Sequence, residues 1–142
     1  MLLSLHPYLS FNGNCEAAFN FYSSVFGGEF DELHRYSKLQ DEDIPESEKD
    51  KIMHISLQIA EHIWLMGADV LERFETPTIF GDNVCLSICT ASEAETIRVY
   101  NALSEGGTTE EPLEKTGWAD LYACFTDKFG ICWAVSFNKK RK

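Results

Sequence analysis

The sequence predicts an α+β protein made of two tandem modules, each running strand, helix and then three strands (βαβββ). Three observations carry this reading. The first is an internal repeat: Phe19-Asn20-Phe21-Tyr22-Ser23-Ser24-Val25-Phe26-Gly27-Gly28 echoes Ile97-Arg98-Val99-Tyr100-Asn101-Ala102-Leu103-Ser104-Glu105-Gly106-Gly107 at an offset of 78. The second is helical spacing of apolar residues in both copies, at Ala18, Tyr22 and Val25 and at Val99, Tyr100 and Leu103. The third is period-2 alternation in the segments on either side of each helix.

Taken in order, Leu5–Phe11 alternates, with Leu5, Leu9 and Phe11 on one face and His6, Tyr8 and Ser10 on the other. Asn14 stands where an N-cap would open the first helix, and Gly27-Gly28 closes it, since glycine accepts the left-handed conformation of a helix end. Strands are expected at 29–38, 52–60 and 62–67. In the second module, Val84, Leu86 and Ile88 alternate with Cys85, Ser87 and Cys89. Ser92 with Glu95 reads as a capping box, and Gly106-Gly107 ends the helix. Strands follow at 108–112, 118–126 and 131–137. The chain is therefore expected to be one domain of two modules, about 1–67 and 83–138. The linker 68–82 carries the turn signals Thr76-Pro77 and Gly81-Asp82.

Composition bounds the function. At 142 residues the chain can bury its own core without staples, and 44% hydrophobic residues are too many for a disordered chain. A net charge of −11 argues against nucleic-acid phosphates and anionic membrane surfaces as partners. Asp41–Lys51 holds six acids and two bases and is expected to be a mobile, solvated loop. Lys139-Lys140-Arg141-Lys142 reads as a disordered basic end. No apolar run approaches a membrane span and the N-terminus lacks the marks of a signal peptide, so the expected location is cytoplasmic. Cys15, Cys85, Cys89, Cys124 and Cys132 form no CxxC and lie near no zinc-finger histidine. They are expected to be thiols filling packed strands rather than a zinc site or nucleophiles.

The strand faces differ in a way that points to a site. One face is purely apolar and should pack on the helices: Ile55, Leu57 and Ile59; Ile63 and Leu65; Leu121, Ala123 and Phe125; Ile131, Trp133 and Val135. The other holds His54, Ser56 and Gln58; Trp64 and Met66; Tyr122, Cys124 and Thr126; Cys132, Ala134 and Ser136. An exposed sheet face would show more Lys, Arg and Glu. Small, aromatic and weakly polar residues suit a ligand cavity, and a semi-buried dimer interface is the alternative.

The residues also resemble a known family. Pro7-Tyr8-Leu9-Ser10-Phe11-Asn12-Gly13-Asn14-Cys15-Glu16-Ala17-Ala18, Phe21-Tyr22, Phe26-Gly27-Gly28, Met53-His54-Ile55, Gly117-Trp118-Ala119 and Thr126-Asp127-Lys128-Phe129-Gly130 with Trp133 are similar to the vicinal oxygen chelate superfamily. That superfamily includes glyoxalase I, extradiol dioxygenases and bleomycin-resistance proteins. The branch most resembled is the PhnB-like one, often labelled 3-demethylubiquinone methyltransferase-like.

The resemblance implies a curved mixed sheet round a cleft, helices on its outer face, and a homodimer. Its metal-dependent members hold an ion at four strand positions. These fall here on His6 or Pro7, on Trp64 or Met66, near Asn83, and on Ala134, so that inherited metal site is expected to be degraded. The leading expectation is a small organic ligand bound by His6, Tyr8, His54, Trp64, Tyr122 and Cys124, with no cofactor. One version of it is a cationic drug steered in by the acidic surface. The alternatives are a lyase, isomerase or dioxygenase with a metal site rebuilt on His6 and His54, and a non-catalytic homodimeric interaction protein. No glycine-rich turn follows a strand, which argues against a nucleoside cofactor and methyl transfer. His34 and His62 are assigned no role, and Asp127 and Lys128 are assigned to a turn.

Overall fold

The computed structural model describes residues 1–72 and 76–140. Residues 73–75 of the expected linker, and Arg141 and Lys142 of the basic end, lie outside the described residues. The chain divides into two compact units, Met1–Ile79 and Phe80–Lys142.

In the first unit β1 (Tyr8–Phe11) leads into α1 (Cys15–Phe26), then β2 (Phe30–Arg35), β3 (Ile52–Ala60) and β4 (Ile63–Asp69). The strands lie in the order β1-β4-β3-β2, with β1 parallel to β4 and the other pairs antiparallel. The second unit repeats this plan with β5 (Leu86–Cys89), α2 (Glu93–Leu103), β6 (Thr108–Glu114), β7 (Leu121–Thr126) and β8 (Cys132–Phe137), in the order β5-β8-β7-β6. Among the described residues, two α-helices and two four-stranded mixed sheets make an α+β double βαβββ fold. Among the described residues no helix is long and apolar enough to cross a membrane.

The apolar strand faces meet the helices. In the first unit Phe11, Phe19, Tyr22, Ile55, Leu57 and Leu65 are fully buried, and Phe19 sets its ring edge-on to Phe11 and Tyr22. Gly67 is required by this packing, because a Cβ there would stand 2.7 Å from the Leu9 carbonyl oxygen and 2.8 Å from the Phe19 ring. In the second unit Leu103, Ala123, Phe125, Trp133 and Val135 are buried. Ile63 departs from the expected pattern at 46% exposure. It follows directly on the Glu61-His62 turn, where His62 takes a positive φ of 61°, and so sits at the end of the sheet.

Three other expectations are corrected. The first strand begins at Tyr8 rather than Leu5: β4 runs back to Ile63, but its Trp64 N–H goes to the His6 side chain instead of a backbone carbonyl, and Leu5 is left 86% exposed. The acidic loop 41–51 is pinned rather than mobile. Ile44 is buried, the Ser37 N–H donates to the Lys49 carbonyl, and Lys51 Nζ lies 2.9 Å from Glu48. Asn14 stands at the N-cap but makes no side-chain cap bond. The buried Asp69 carboxylate does the work instead: its Oδ1 accepts from the Gly13 and Cys15 N–H groups at 2.8 and 3.0 Å, and its Oδ2 from the Ile52 N–H at 2.9 Å. The start of the second helix behaves as read, with Ser92 Oγ accepting from the Glu95 N–H at 3.1 Å, whereas its C-cap is Ser104 and Gly106-Gly107 lies two residues beyond. The Glu95 side chain, however, turns to Arg98 instead of closing the box.

Losing the Asp69 carboxylate strands three backbone donors. Asp69→Ala is therefore expected to lower unfolding free energy by about 3 kcal/mol, and Asp69→Asn, which keeps one acceptor, by roughly half of that. Urea denaturation measures both. A loss below about 1 kcal/mol for Asp69→Ala would show that the carboxylate is not what holds the start of α1.

Candidate functional site

The six residues singled out in the sequence fall into two groups, one in each unit. In the first unit, Tyr8 on β1 and His54 on β3 flank β4 and meet across it. Their rings stack at 5.7 Å, and the Tyr8 hydroxyl lies 3.0 Å from His54 Nδ1. The other imidazole nitrogen, Nε2, is 3.2 Å from Glu32 on β2. A carboxylate on Nε2 favours the tautomer with its proton there, which leaves Nδ1 to accept from the Tyr8 O–H. Burial, and then Cys15, raise the Tyr8 phenol above its ordinary value, so it serves as a proton-bearing donor. Glu32, His54 and Tyr8 thus form a carboxylate–imidazole–phenol relay that ends on a half-exposed hydroxyl.

His6 and Trp64 make a second contact on the same sheet. His6 Nδ1 accepts from the Trp64 N–H at 3.4 Å, and the two rings meet edge to face at 5.3 Å. The Trp64 indole N–H donates to Asp31. The first group is thus a set of aromatic rings with an acidic edge formed by Asp31 and Glu32.

In the second unit, Tyr122 and Cys124 occupy the open face of β7. Tyr122 packs edge-on against Trp118 at 5.7 Å. The two rings border a cavity of about 230 Å³ lined also by Ser87, Cys89, Thr90, Ala119, Ser136 and Asn138. The lining carries no charged side chain. Trp118 is the residue that a face-by-face reading of the sequence missed as a site residue. Its signal was the Gly117-Trp118-Ala119 motif, and its 66% exposure is unusual for so large an apolar side chain. Cys124 Sγ lies 3.6 Å from Glu110, which also accepts from Thr126 Oγ1 at 2.9 Å. Burial, then Cys132 and Glu110, push the Cys124 thiol up to about 11, so at neutral pH it keeps its proton and is a poor nucleophile.

A family model, 3-demethylubiquinone-9 3-methyltransferase, matches residues 4–136. The chain belongs to that family. The protein YjdN of Escherichia coli K12 is 27% identical to it, the match covering 98% of each chain. The crystal structure of PA1353 from Pseudomonas aeruginosa is 36% identical, with a TM-score of 0.82 over 96% of this chain and 98% of that one. A glyoxylase/bleomycin resistance protein/dioxygenase domain from Frankia shares the fold at 10% identity and a TM-score of 0.69, covering 100% and 96% of the two chains.

The 3-demethylubiquinone-9 3-methyltransferase family label and the wider fold imply, respectively, a methyl-donor cofactor and a metal, and the residues here fit neither. Gly27 is the C-cap of α1, and a Cβ at Gly28 would stand 3.0 Å from the Gln58 carbonyl oxygen. A Cβ at Gly107 would stand 2.1 Å from the Thr126 carbonyl oxygen. These glycines are consumed by helix ends and close packing. Of the four strand positions that the resemblance assigns to a metal, the second (Trp64 or Met66) and the fourth (Ala134) offer no ligand atom that a hard divalent ion favours. His6 and His54 are engaged separately, one by the β4 backbone and the other by Tyr8 and Glu32.

The Tyr122 phenol is raised to about 12 by burial first and by Cys124 next. A raised folded-state value means that the folded form holds the proton longer. The resulting stability is complete below about pH 10 and disappears as pH rises towards 12. Spectrophotometric titration of the wild type minus Tyr122→Phe should isolate a phenolate midpoint near 12. A midpoint near 10 would show that Tyr122 is as solvated as a free tyrosine.

Proposed function

We propose that this chain is a small-molecule-binding protein of the glyoxalase/bleomycin-resistance type, in which the inherited metal site no longer operates. The observation that carries the reading is the cavity of about 230 Å³ beside Trp118 and Tyr122. It pairs aromatic area with the uncharged polar groups of Ser87, Thr90, Ser136 and Asn138. Ligand sites characteristically combine apolar area with a few placed polar groups. The first unit supports the same reading with a different chemistry. Tyr8, His54 and Trp64 present ring surface, His6 orients the indole, and Asp31 and Glu32 set a negative edge. An organic cation suits that edge, since carboxylates beside aromatic faces attract positive charge and the chain as a whole carries −11.

Calorimetric titration with a panel of cationic aromatic and glycopeptide compounds tests the proposal. At least one compound should bind saturably, with affinity falling as salt rises. Removing the large ring by Trp118→Ala should weaken it roughly tenfold or more, consistent with the loss of a buried aromatic contact. Tyr8→Phe, which removes only the hydroxyl, should cost less than Trp118→Ala if the second-unit cavity holds the ligand. A panel without saturable binding, or binding indifferent to Trp118→Ala, would overturn the assignment of the cavity.

A further inference from the structure

We propose that Cys85, Cys124 and Cys132 form a zinc-binding site on the open face of the second sheet. Their sulfur atoms all lie within 4.8 Å of one another. Among the described residues, no other group of three or more His, Cys, Asp or Glu side chains brings its ligand atoms so close together. The site does not reuse the inherited metal positions, and it stands independently of the ligand cavity.

The sheet itself assembles the group. β8 lies between β5 and β7. The parallel register Leu86↔Trp133 sets Cys85, one residue earlier, beside Cys132. The antiparallel register pairs Cys124 with Ala134 and Thr126 with Cys132, so Cys124 is the diagonal neighbour of Cys132 on the same face. Cys124 and Cys132 thus offer sulfurs from backbone fixed by ladder hydrogen bonds, a more rigid presentation than loop cysteines provide, and Cys85 joins them from the residue that directly precedes β5. No CxxC spacing is involved, which is why a search for sequence motifs passes the site by.

The geometry suits a thiophilic ion. A tetrahedral zinc–thiolate centre with Zn–S of about 2.3 Å places its sulfurs about 3.8 Å apart, so side-chain rotation of about 1 Å at most closes the group on the ion. Glu110 lies 3.6 Å from Cys124 Sγ but outside the group of three mutually close sulfurs, so the fourth position of a tetrahedral ion falls to water or another exogenous donor. Sulfur donors select zinc over magnesium, calcium or manganese. Cys85 is exposed and the other two are half-buried, so an ion has a path in. On binding, each coordinating S–H loses its proton to solvent as the S–Zn bond forms, and no redox partner is needed.

Cobalt(II) titration of the untagged, fully reduced, full-length protein gives the readout, because a tetrahedral thiolate site produces thiolate-to-cobalt charge-transfer absorption and intense visible bands. We expect one cobalt per chain, with the absorption bleached by one equivalent of zinc and untouched by magnesium. Cys132→Ser and Cys85→Ser should each weaken binding roughly tenfold or more. Cys15→Ala, in the helix of the first unit, should leave it unchanged. Because Cys85 is exposed, its variant is expected to keep the wild-type circular dichroism, so lost binding reads as lost coordination. Absence of the bands in the reduced wild type, or their survival in both Cys85→Ser and Cys132→Ser, would overturn the site. Either result leaves the cavity reading intact, since that is tested through Trp118.

Discussion

One buried carboxylate ties the first unit together. Asp69 ends β4, and its two oxygens hold the entry of α1 through Gly13 and Cys15 and the start of β3 through Ile52. Its own backbone carbonyl accepts from the Tyr36 hydroxyl at 2.7 Å, which draws in the segment after β2. A buried carboxylate would be expensive if left bare, and here backbone donors take up both oxygens. The consequence reaches the open face of the sheet. Tyr8, His54 and Trp64 stand on β1, β3 and β4, so the relation among them depends on the register that Asp69 helps to fix. The second unit uses a related device at another place: Asp127 accepts from the Phe129 and Ile131 N–H groups and from the Trp133 indole at 2.8 Å. The turn before β8 is thereby fastened to the core.

Period-2 alternation then divides the labour. Each sheet spends one face on its helix, where Ile55, Leu57 and Leu65 or Phe125, Trp133 and Val135 are buried. That burial supplies the stability, and the opposite face is left to carry polar and reactive groups without weakening the core. It explains why the residues on the open side are unlike an ordinary solvated surface. A chain of contacts such as Glu32–His54–Tyr8 needs side chains of one parity on β2, β3 and β1, the last reached across β4, which the β1-β4-β3-β2 order provides.

Much of this was legible in the chain because it follows from local rules. The repeat and the Gly-Gly helix ends gave both helices, and alternation gave the strand faces. The Ser92 cap followed from residue type and spacing. What could not be read depends on partners distant in sequence. Asn14 has the right chemistry for a cap, but the acceptor arrives from Asp69, beyond the reach of any local pattern. The loop 41–51 reads as solvated because its charges are visible, whereas the anchor is the single buried Ile44 and a pair of backbone bonds to the segment after β2. Leu5 continues the alternation of Leu9 and Phe11, yet the ladder stops short of it, because the Trp64 N–H of β4 goes to the His6 side chain instead of a backbone carbonyl. On the open face, parity placed His54, Trp64, Tyr122 and the cysteines on one side of their strands. Which of them touch is set by register: Thr126↔Cys132 together with Leu86↔Trp133 makes three scattered cysteines neighbours.

The two units share a topology but not a chemistry, and the reason is physical. In both, a parallel pair and two antiparallel pairs join the same four elements, and the hydrogen bonds that do so belong to the backbone. Substitutions on the open face therefore leave the ladders intact, so one unit can carry the imidazoles of His6 and His54 while its counterpart carries the thiols of Cys124 and Cys132. Hard, hydrogen-bonding groups on one sheet and soft sulfur on the other answer to different classes of ligand. A duplicated fold whose helix-facing halves are constrained alike, and whose open halves are not, can change the groups on its open faces strand position by strand position, with neither core rebuilt to allow it.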